Sequence, residues 1–134
     1  MTVGLKQGTA TRKAGKATAA KILQAAHDML ASEPLVRFTL RNIAGKAEVS
    51  LANLQYYYPR REALIEAMMK DIDCRYRDAC QSAISAQSAS APSEQIKAVL
   101  RFQLEDATQT KTRQFFIQLW ALLVWGRFGW TSVE

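Results

Sequence analysis

Residues 39–64, TLRNIAGKAEVSLANLQYYYPRREAL, contain two short helical patterns separated by a tight turn and followed at once by a third helix. Thr39 is placed to cap the first of these two short helices, and Ser50 is placed to cap the one after the turn. Side-chain hydroxyls accept hydrogen bonds from the free N–H groups at helix starts. Leu54 is the clearest inward-facing residue of the helix that Ser50 caps. Pro59 ends that helix, because proline disfavours the helical conformation in the residue before it.

Apolar residues at helical spacing continue along the rest of the chain, which favours an all-α fold. Hydrophobic residues make up 49% of the 134 residues, enough for a packed core. The first helix should run from about Ala19 to Ser32, with Thr18 as its cap. Later helices are predicted near residues 61–86, 94–108 and 112–125. In the 94–108 helix the inward-facing residues are expected to be Ile96, Val99, Leu100 and Leu104.

The chain divides into three predicted parts. Residues 1–16 are rich in Gly, Thr and Lys and lack periodicity, so they are expected to form a basic flexible arm. Residues 17–60 hold the three short helices, and residues 61–134 hold the longer ones. The stretch before residue 17 has no apolar core typical of a signal peptide, and no apolar run is long enough to cross a bilayer.

Net charge is confined to the first half of the sequence. Residues 1–64 hold ten Lys or Arg against four acids, whereas residues 65–134 hold eight of each, so the excess of +6 lies before residue 65. Such segregation indicates a polyanionic partner. A short polar helix held outward by the helix behind it suits insertion into the DNA major groove.

The run from Ile22 to Leu64, about a third of the chain, resembles the DNA-binding domain of TetR-family transcriptional regulators. The resemblance implies a three-helix DNA-binding domain with a helix-turn-helix, followed by a partial helical regulatory domain. The matching segments are Ile22-Leu23-x-Ala25-Ala26, Phe38-Thr39-Leu40-Arg41-x-Ile43-Ala44, Val49-Ser50, Asn53-Leu54-Gln55-Tyr56-Tyr57-Tyr58 and Arg61-Glu62-x-Leu64.

The resemblance implies that residues 17–60 bind DNA and that residues 61–134 form an effector and dimerisation domain. It further implies a cytoplasmic repressor that binds a palindromic operator as a homodimer and is released by a small-molecule effector. No paired acid and base or activated nucleophile is apparent, so neither enzymatic activity nor a cofactor is expected.

Site residues follow from matching positions in that family. The expected phosphate contacts are Thr39, Ser50, Tyr56, Tyr57 and Arg61, with Thr39 at a helix start where backbone N–H groups also favour an anion. The basic arm would add Arg12, Lys13 and Lys16. The residues expected to face base edges are Ala52, Asn53 and Gln55, and glutamine can pair bidentately with adenine.

Three departures from the family pattern stand out. Glu48 replaces the usual turn glycine and, if its backbone is left-handed, carries strain of about 1 kcal/mol. Arg60 replaces the usual cap of the fourth helix. The chain also has fewer helices after residue 61 than the family, which suggests an incomplete regulatory domain.

For several residues, an ordinary structural role remains an alternative to a role in binding. Tyr58 is expected to be core packing, Arg41 could pair with Glu48 or Glu62, and the arm cations could be solvated. His27 is expected to be a surface or half-buried helix residue. The residues that could line an effector pocket, or equally form ordinary core, are Met68, Met69, Phe115, Phe116 and Trp120.

Two alternative functions are compatible with the sequence. The first is a truncated regulator with impaired effector sensing or dimerisation, whose fourth and sixth helices would leave apolar faces uncovered. The second, more remote, is a basic amphipathic protein of membrane surfaces. That class would spread lysine along one apolar-backed helix, whereas here the positive charge clusters around a turn.

Overall fold

The computed structural model describes residues 4–86 and 91–127, which form six α-helices and one 3-10 turn without a strand. The predicted all-α fold is therefore confirmed. Within these residues, no helix combines the length and the apolar composition that crossing a membrane requires. The elements are α1 (Gly4–Ser32), the 3-10 turn (Leu35–Arg37), α2 (Leu40–Lys46), α3 (Leu51–Tyr57), α4 (Arg61–Ala86), α5 (Pro92–Thr108) and α6 (Thr110–Arg127).

Helix α1 is the centre of the molecule, since it contacts α2, α3, α4 and α6. Its buried stripe includes Ile22, Ala26, Met29 and Leu30, spaced as a helical face requires. The side chains that pack with this stripe are Phe38, Ile43, Ala44, Ala47, Leu54, Leu64, Met68, Phe115, Leu119 and Leu122.

The predicted flexible arm is wrong for the described residues of that segment, because α1 begins at Gly4. Its glycines weaken a helix by about 1 kcal/mol each, but the intervening Ala and Lys residues are good helix formers. The hydroxyl of Thr18 donates to the carbonyl of Ala14 at 3.0 Å, so Thr18 lies inside α1 instead of capping it. The predicted domain limits also include residues 1–3, 87–90 and 128–134, which lie outside the described residues.

The predicted inward face of α5 is wrong at three of its four residues, since only Val99 lies on the packed side. Ile96, Leu100 and Leu104 are 62%, 52% and 68% exposed, and α5 has no buried residue. The helix packs against α4 and α6 through its other side, where Val99 and Phe102 are half-buried. Apolar spacing alone does not distinguish two apolar stripes on one helix, so the prediction took most of its residues from the exposed stripe.

A glutamine fastens α6 to the end of α1. The side-chain amide of Gln118 donates to the carbonyls of Leu30 and Glu33, at 2.6 and 2.9 Å. The last carbonyls of a helix have no partner within the helix, and the amide supplies one. The unit formed by α1, α2 and α3, here called the three-helix unit, is therefore joined to α6 by polar contacts as well as by apolar packing.

Candidate nucleic-acid interface

Both predicted helix caps are present. The hydroxyl of Thr39 accepts from the N–H of Asn42 at 3.2 Å, and the hydroxyl of Ser50 accepts from the N–H of Asn53 at 3.0 Å. Both cap residues have extended backbones, as helix caps require. A hydroxyl that accepts through a lone pair keeps its own proton, so each can still donate a hydrogen bond outward.

Residues 47–50 form the tight turn between α2 and α3. Within it Glu48 has a φ of 56°. This is the left-handed conformation expected at a position where the family usually has glycine. The N–H of Val49 donates to the carbonyl of Ala44 at 3.0 Å and closes the turn. The Glu48 carboxylate accepts from the ammonium of Lys21 at 3.2 Å. The ion-pair partner of Glu48 is therefore Lys21, and not Arg41, which the sequence analysis had considered.

Helix α3 is anchored by one side chain and exposed on the other side. Leu54 is fully buried, as predicted, and holds the helix against the core. The predicted base-facing residues Ala52, Asn53 and Gln55 are all exposed, and Tyr56 is 80% exposed. None of the seven α3 side chains is charged. The exposed surface of α3 is therefore polar and neutral, with amide groups that can both donate and accept.

The three tyrosines that end α3 have different environments. Tyr56 meets Tyr57 edge to face, with ring centroids 5.1 Å apart. Tyr57 is half-buried beside α1, where a Cβ added at Gly15 would lie 3.4 Å from its hydroxyl oxygen. The hydroxyl of Tyr58 donates to the carbonyl of Ala19 at 3.4 Å, and burial raises the pKa of Tyr58. The predicted packing role of Tyr58 is confirmed, whereas Tyr56 is the ring most open to a ligand.

Several cations of the first half have no acidic partner. Across side chains 12–86 and 91–124, the ion pairs of the first half engage only Lys21, Arg37 and Lys46. Arg61, at the start of α4, is half-buried, and the other unpaired cations of the first half are exposed. Uncompensated positive charge therefore lies on α1, on α2 and in the segment that follows α3. The exposed and unpaired residues are Arg12, Lys13, Lys16, Arg41 and Arg60.

The candidate effector residues are divided among three environments. Met68 is fully buried in the core and lines neither cavity described below, so the core interpretation applies to it. Phe115 and Phe116 line a cavity of about 240 Å³ between α1, α4 and α6. Met69 and Trp120, together with Phe116, line an apolar groove of about 390 Å³ on the α4–α6 surface.

The smaller cavity contains a polar cluster that sequence reasoning missed. The imidazole of His27 lies 3.1 Å from the Asp71 carboxylate, which also accepts from Arg75 at 2.8 Å. The ring stacks on Phe115 with centroids 5.0 Å apart. Burial, reinforced by the Arg75 charge, lowers the pKa of His27 and outweighs the opposing effect of Asp71. These contacts join separate helices, so no local spacing could reveal them.

Tyr76 forms a second polar contact in the same cavity. Its hydroxyl donates to the Asp106 carboxylate. Burial, together with this hydrogen bond, raises the pKa of Tyr76 to about 12, so the phenol stays protonated. No group of three His, Cys, Asp or Glu side chains within the described residues could hold a metal ion.

The three residues expected to face base edges are exposed. Among the expected phosphate contacts, Thr39, Ser50 and Tyr56 are exposed, whereas Tyr57 and Arg61 are half-buried. The likeness to TetR-family regulators rests on the residues of 22–64 that carry it. Comparisons of the chain with models of known families, with curated proteins and with solved structures return no match.

Proposed function

We propose that this protein is a sequence-specific DNA-binding transcriptional regulator of the TetR type that inserts α3 into the major groove. The observation that carries the proposal is the two-sided character of α3. Leu54 is fully buried while Ala52, Asn53 and Gln55 are exposed. Side chains at such positions on a recognition helix read base edges.

The surrounding groups supply the sequence-independent part of binding. The hydroxyls of Thr39 and Ser50 donate to phosphate oxygens from the starts of α2 and α3, and Tyr56 adds a third hydroxyl. Arg41, Arg60 and Arg61 neutralise phosphates, and α1 brings Arg12, Lys13 and Lys16 beside the duplex. Gln55 pairs with an adenine, which contributes about 1–3 kcal/mol of discrimination.

The regulator acts in the cytoplasm as a homodimeric repressor on a palindromic operator. Two copies place their α3 helices in successive major grooves about 10 bp apart, or a multiple of that. A small-molecule effector occupies the cavity lined by His27, Tyr76 and Phe115, because that cavity lies between α1 and the later helices. Occupation of the cavity changes how α1 sits on α6 and so the spacing of the two α3 helices.

Gel-shift titrations with duplexes from the region upstream of its own gene test the proposal. Gln55→Ala should relax preference at one base pair, whereas Arg61→Ala should weaken binding to every duplex alike. The logarithm of affinity should fall with the logarithm of salt concentration, with a slope of about −0.9 per phosphate contact. Equal affinity for random and upstream duplexes would remove the claim of specificity.

A matched pair at Ser50 separates DNA contact from helix capping. Asp and Asn cap helices about as well as Ser, so neither substitution should reduce helical content. Ser50→Asp places a carboxylate beside the proposed phosphate and should weaken binding strongly, whereas Ser50→Asn should bind nearly as the parent does. Equal affinity for the two variants would place Ser50 away from phosphate.

A further inference from the structure

The cavity between α1, α4 and α6 contains a half-buried carboxylate without a cationic partner. Asp106, near the end of α5, accepts from two neutral hydroxyls, that of Tyr76 and, at 3.5 Å, that of Thr112. No ion pair among the described side chains engages it. The other carboxylate that lines the cavity, Asp28, is exposed and accepts from the amide of Gln24 at 3.0 Å. A carboxylate partly withdrawn from water gains most from a charged donor, so Asp106 is the stronger site for a cation.

Aromatic rings line the cavity together with this carboxylate. Phe116 meets Tyr76 edge to face, with ring centroids 6.0 Å apart, and meets Phe115 in the same way at 5.4 Å. The face of an aromatic ring attracts a cation that lies within about 6 Å of its centroid. The carboxylate and the rings therefore together favour an ammonium group.

Two cations also line the cavity, and one of them has no acidic partner. Arg75 donates to the Asp71 carboxylate at 2.8 Å and to the amide oxygen of Gln24 at 3.4 Å. Lys111, at the start of α6, is exposed and takes part in none of the ion pairs formed by the described side chains. Lys111 and Asp106 thus line one cavity without pairing with each other. A ligand that carries both an anionic and a cationic group would satisfy both residues.

The rest of the cavity wall is largely apolar. Ala31 and Ile72 line it with the phenylalanines. Burial lowers the pKa of His27, so its ring is mainly neutral at pH 7 where it stacks on Phe115. The volume of about 240 Å³ is below the roughly 300–1,000 Å³ of sites for drug-sized ligands. The cavity therefore suits a small molecule with one apolar side chain.

We infer that this cavity binds an apolar α-amino acid as a zwitterion, with its ammonium group on Asp106 and its carboxylate on Lys111. The side chain of the ligand lies against Phe115 and Ile72. Asp106 and Lys111 flank the junction of α5 and α6, and His27 brings α1 to the same cavity, so the ligand contacts α1 and both later helices. The inference rests on the proposed function in one respect, because it takes this cavity as the effector site.

Isothermal titration calorimetry with L-phenylalanine and L-leucine tests the class of ligand. Phenethylamine lacks the carboxylate of phenylalanine and 3-phenylpropanoate lacks its ammonium group, so each should bind at least about tenfold more weakly than the amino acid. The corresponding analogues of leucine are 3-methylbutylamine and 4-methylpentanoate. Absence of binding by both amino acids would overturn the inference, as would an analogue that binds as tightly as its parent amino acid.

Two variants that each remove one charge test the two contacts. Asp106→Asn keeps an acceptor for Tyr76 and should abolish the advantage of L-phenylalanine over 3-phenylpropanoate, whereas Lys111→Gln should abolish its advantage over phenethylamine. Lys70→Gln is the matched control, because Lys70 is an exposed lysine that does not line the cavity. It should bind all three ligands as the parent does. Circular dichroism checks that the variants keep the parent's helical content. Equal weakening of all three ligands in both cavity variants would indicate a structural role and contradict the assigned contacts.

Gel shifts with and without the bound amino acid separate this inference from the proposed function. A chain that binds the amino acid but no duplex supports the ligand site and refutes the DNA-binding proposal. A chain that binds the upstream duplex but neither amino acid refutes the ligand site alone. Weaker duplex binding in the presence of the amino acid supports both proposals. Unchanged duplex affinity at saturating amino acid would contradict its role as the effector.

Discussion

Between Ile22 and Met68 the molecule buries twelve of the 15 core residues found among its described residues, whereas α5 buries none. Exposed large hydrophobic side chains follow the opposite distribution, since ten of twelve lie in the second region, between Met69 and Val124. The first region buries its apolar side chains, in part against α6, and turns polar and cationic groups outward. The second turns apolar groups outward. The two regions are therefore suited to different partners, a polyanion for the first and an apolar surface for the second.

The largest expected effect comes from shortening a leucine in each region. Leu54→Ala removes a fully buried side chain beneath α3 and should lower the free energy of unfolding by about 2–5 kcal/mol. Leu104 is 68% exposed, so Leu104→Ala should change the free energy of unfolding by no more than about 0.5 kcal/mol. Urea unfolding monitored by circular dichroism measures both. Equal losses of stability for the two substitutions would contradict this contrast between a buried leucine and an exposed one.

The next effect concerns the junction between the regions. Gln118→Ala leaves the carbonyls of Leu30 and Glu33 without their amide donor and should cost about 1–3 kcal/mol, because partly buried acceptors lose their partners. Gln118→Met keeps most of the side-chain volume and removes the donor, so it is the matched control for packing. Thermal unfolding followed by calorimetry compares them. If Met restores the parent's stability, packing accounts for the role of Gln118 and the hydrogen bonds do not.

Sequence reasoning was most successful where physical constraints are local. The caps Thr39 and Ser50, the buried Leu54 and the strained position of Glu48 depend on neighbouring residues, and the structure confirms each. The arm prediction failed locally, because its glycines were given more weight than the alanines and lysines between them. The start of α4 at Arg61 was correctly predicted, and the helix extends to at least Ala86, as expected.

Contacts between distant parts of the chain could not be predicted in this way. Gln118 reads as an interruption of an apolar run, yet it is the link between α6 and the end of α1. His27 and Asp71 are 44 positions apart, and neither belongs to a recognisable motif. The outward stripe of α5 looks identical to an inward one, because helical spacing gives the period of a stripe and not its direction.

Acidification should weaken the contacts among α1, α4 and α6 at His27. Burial sets the pKa of this imidazole below the 6.5 of the unfolded chain, so unfolded molecules take up the proton first as pH falls. The stabilisation is complete above pH 6.5 and declines towards the lower folded-state pKa, by at most about 1.4 kcal/mol per pH unit. His27→Gln cannot titrate and should flatten the urea-measured stability in that window. An unchanged slope in this variant would assign the pH dependence to other groups.

The smallest expected effect lies in the turn between α2 and α3. Glu48→Gly should raise the free energy of unfolding by about 1 kcal/mol, because glycine adopts a φ of 56° without the clash of a Cβ. The lost pair with Lys21 offsets little of this gain, since both side chains are mostly exposed. Glu48→Ala removes the same carboxylate and keeps the Cβ, so the difference in stability between the two variants isolates the backbone strain. Both variants free Lys21 and remove a negative charge near α3, and both should therefore bind duplex DNA more tightly than the parent. If Glu48→Gly alone binds DNA more tightly, the gain in affinity comes from the conformation of the turn and not from loss of the carboxylate.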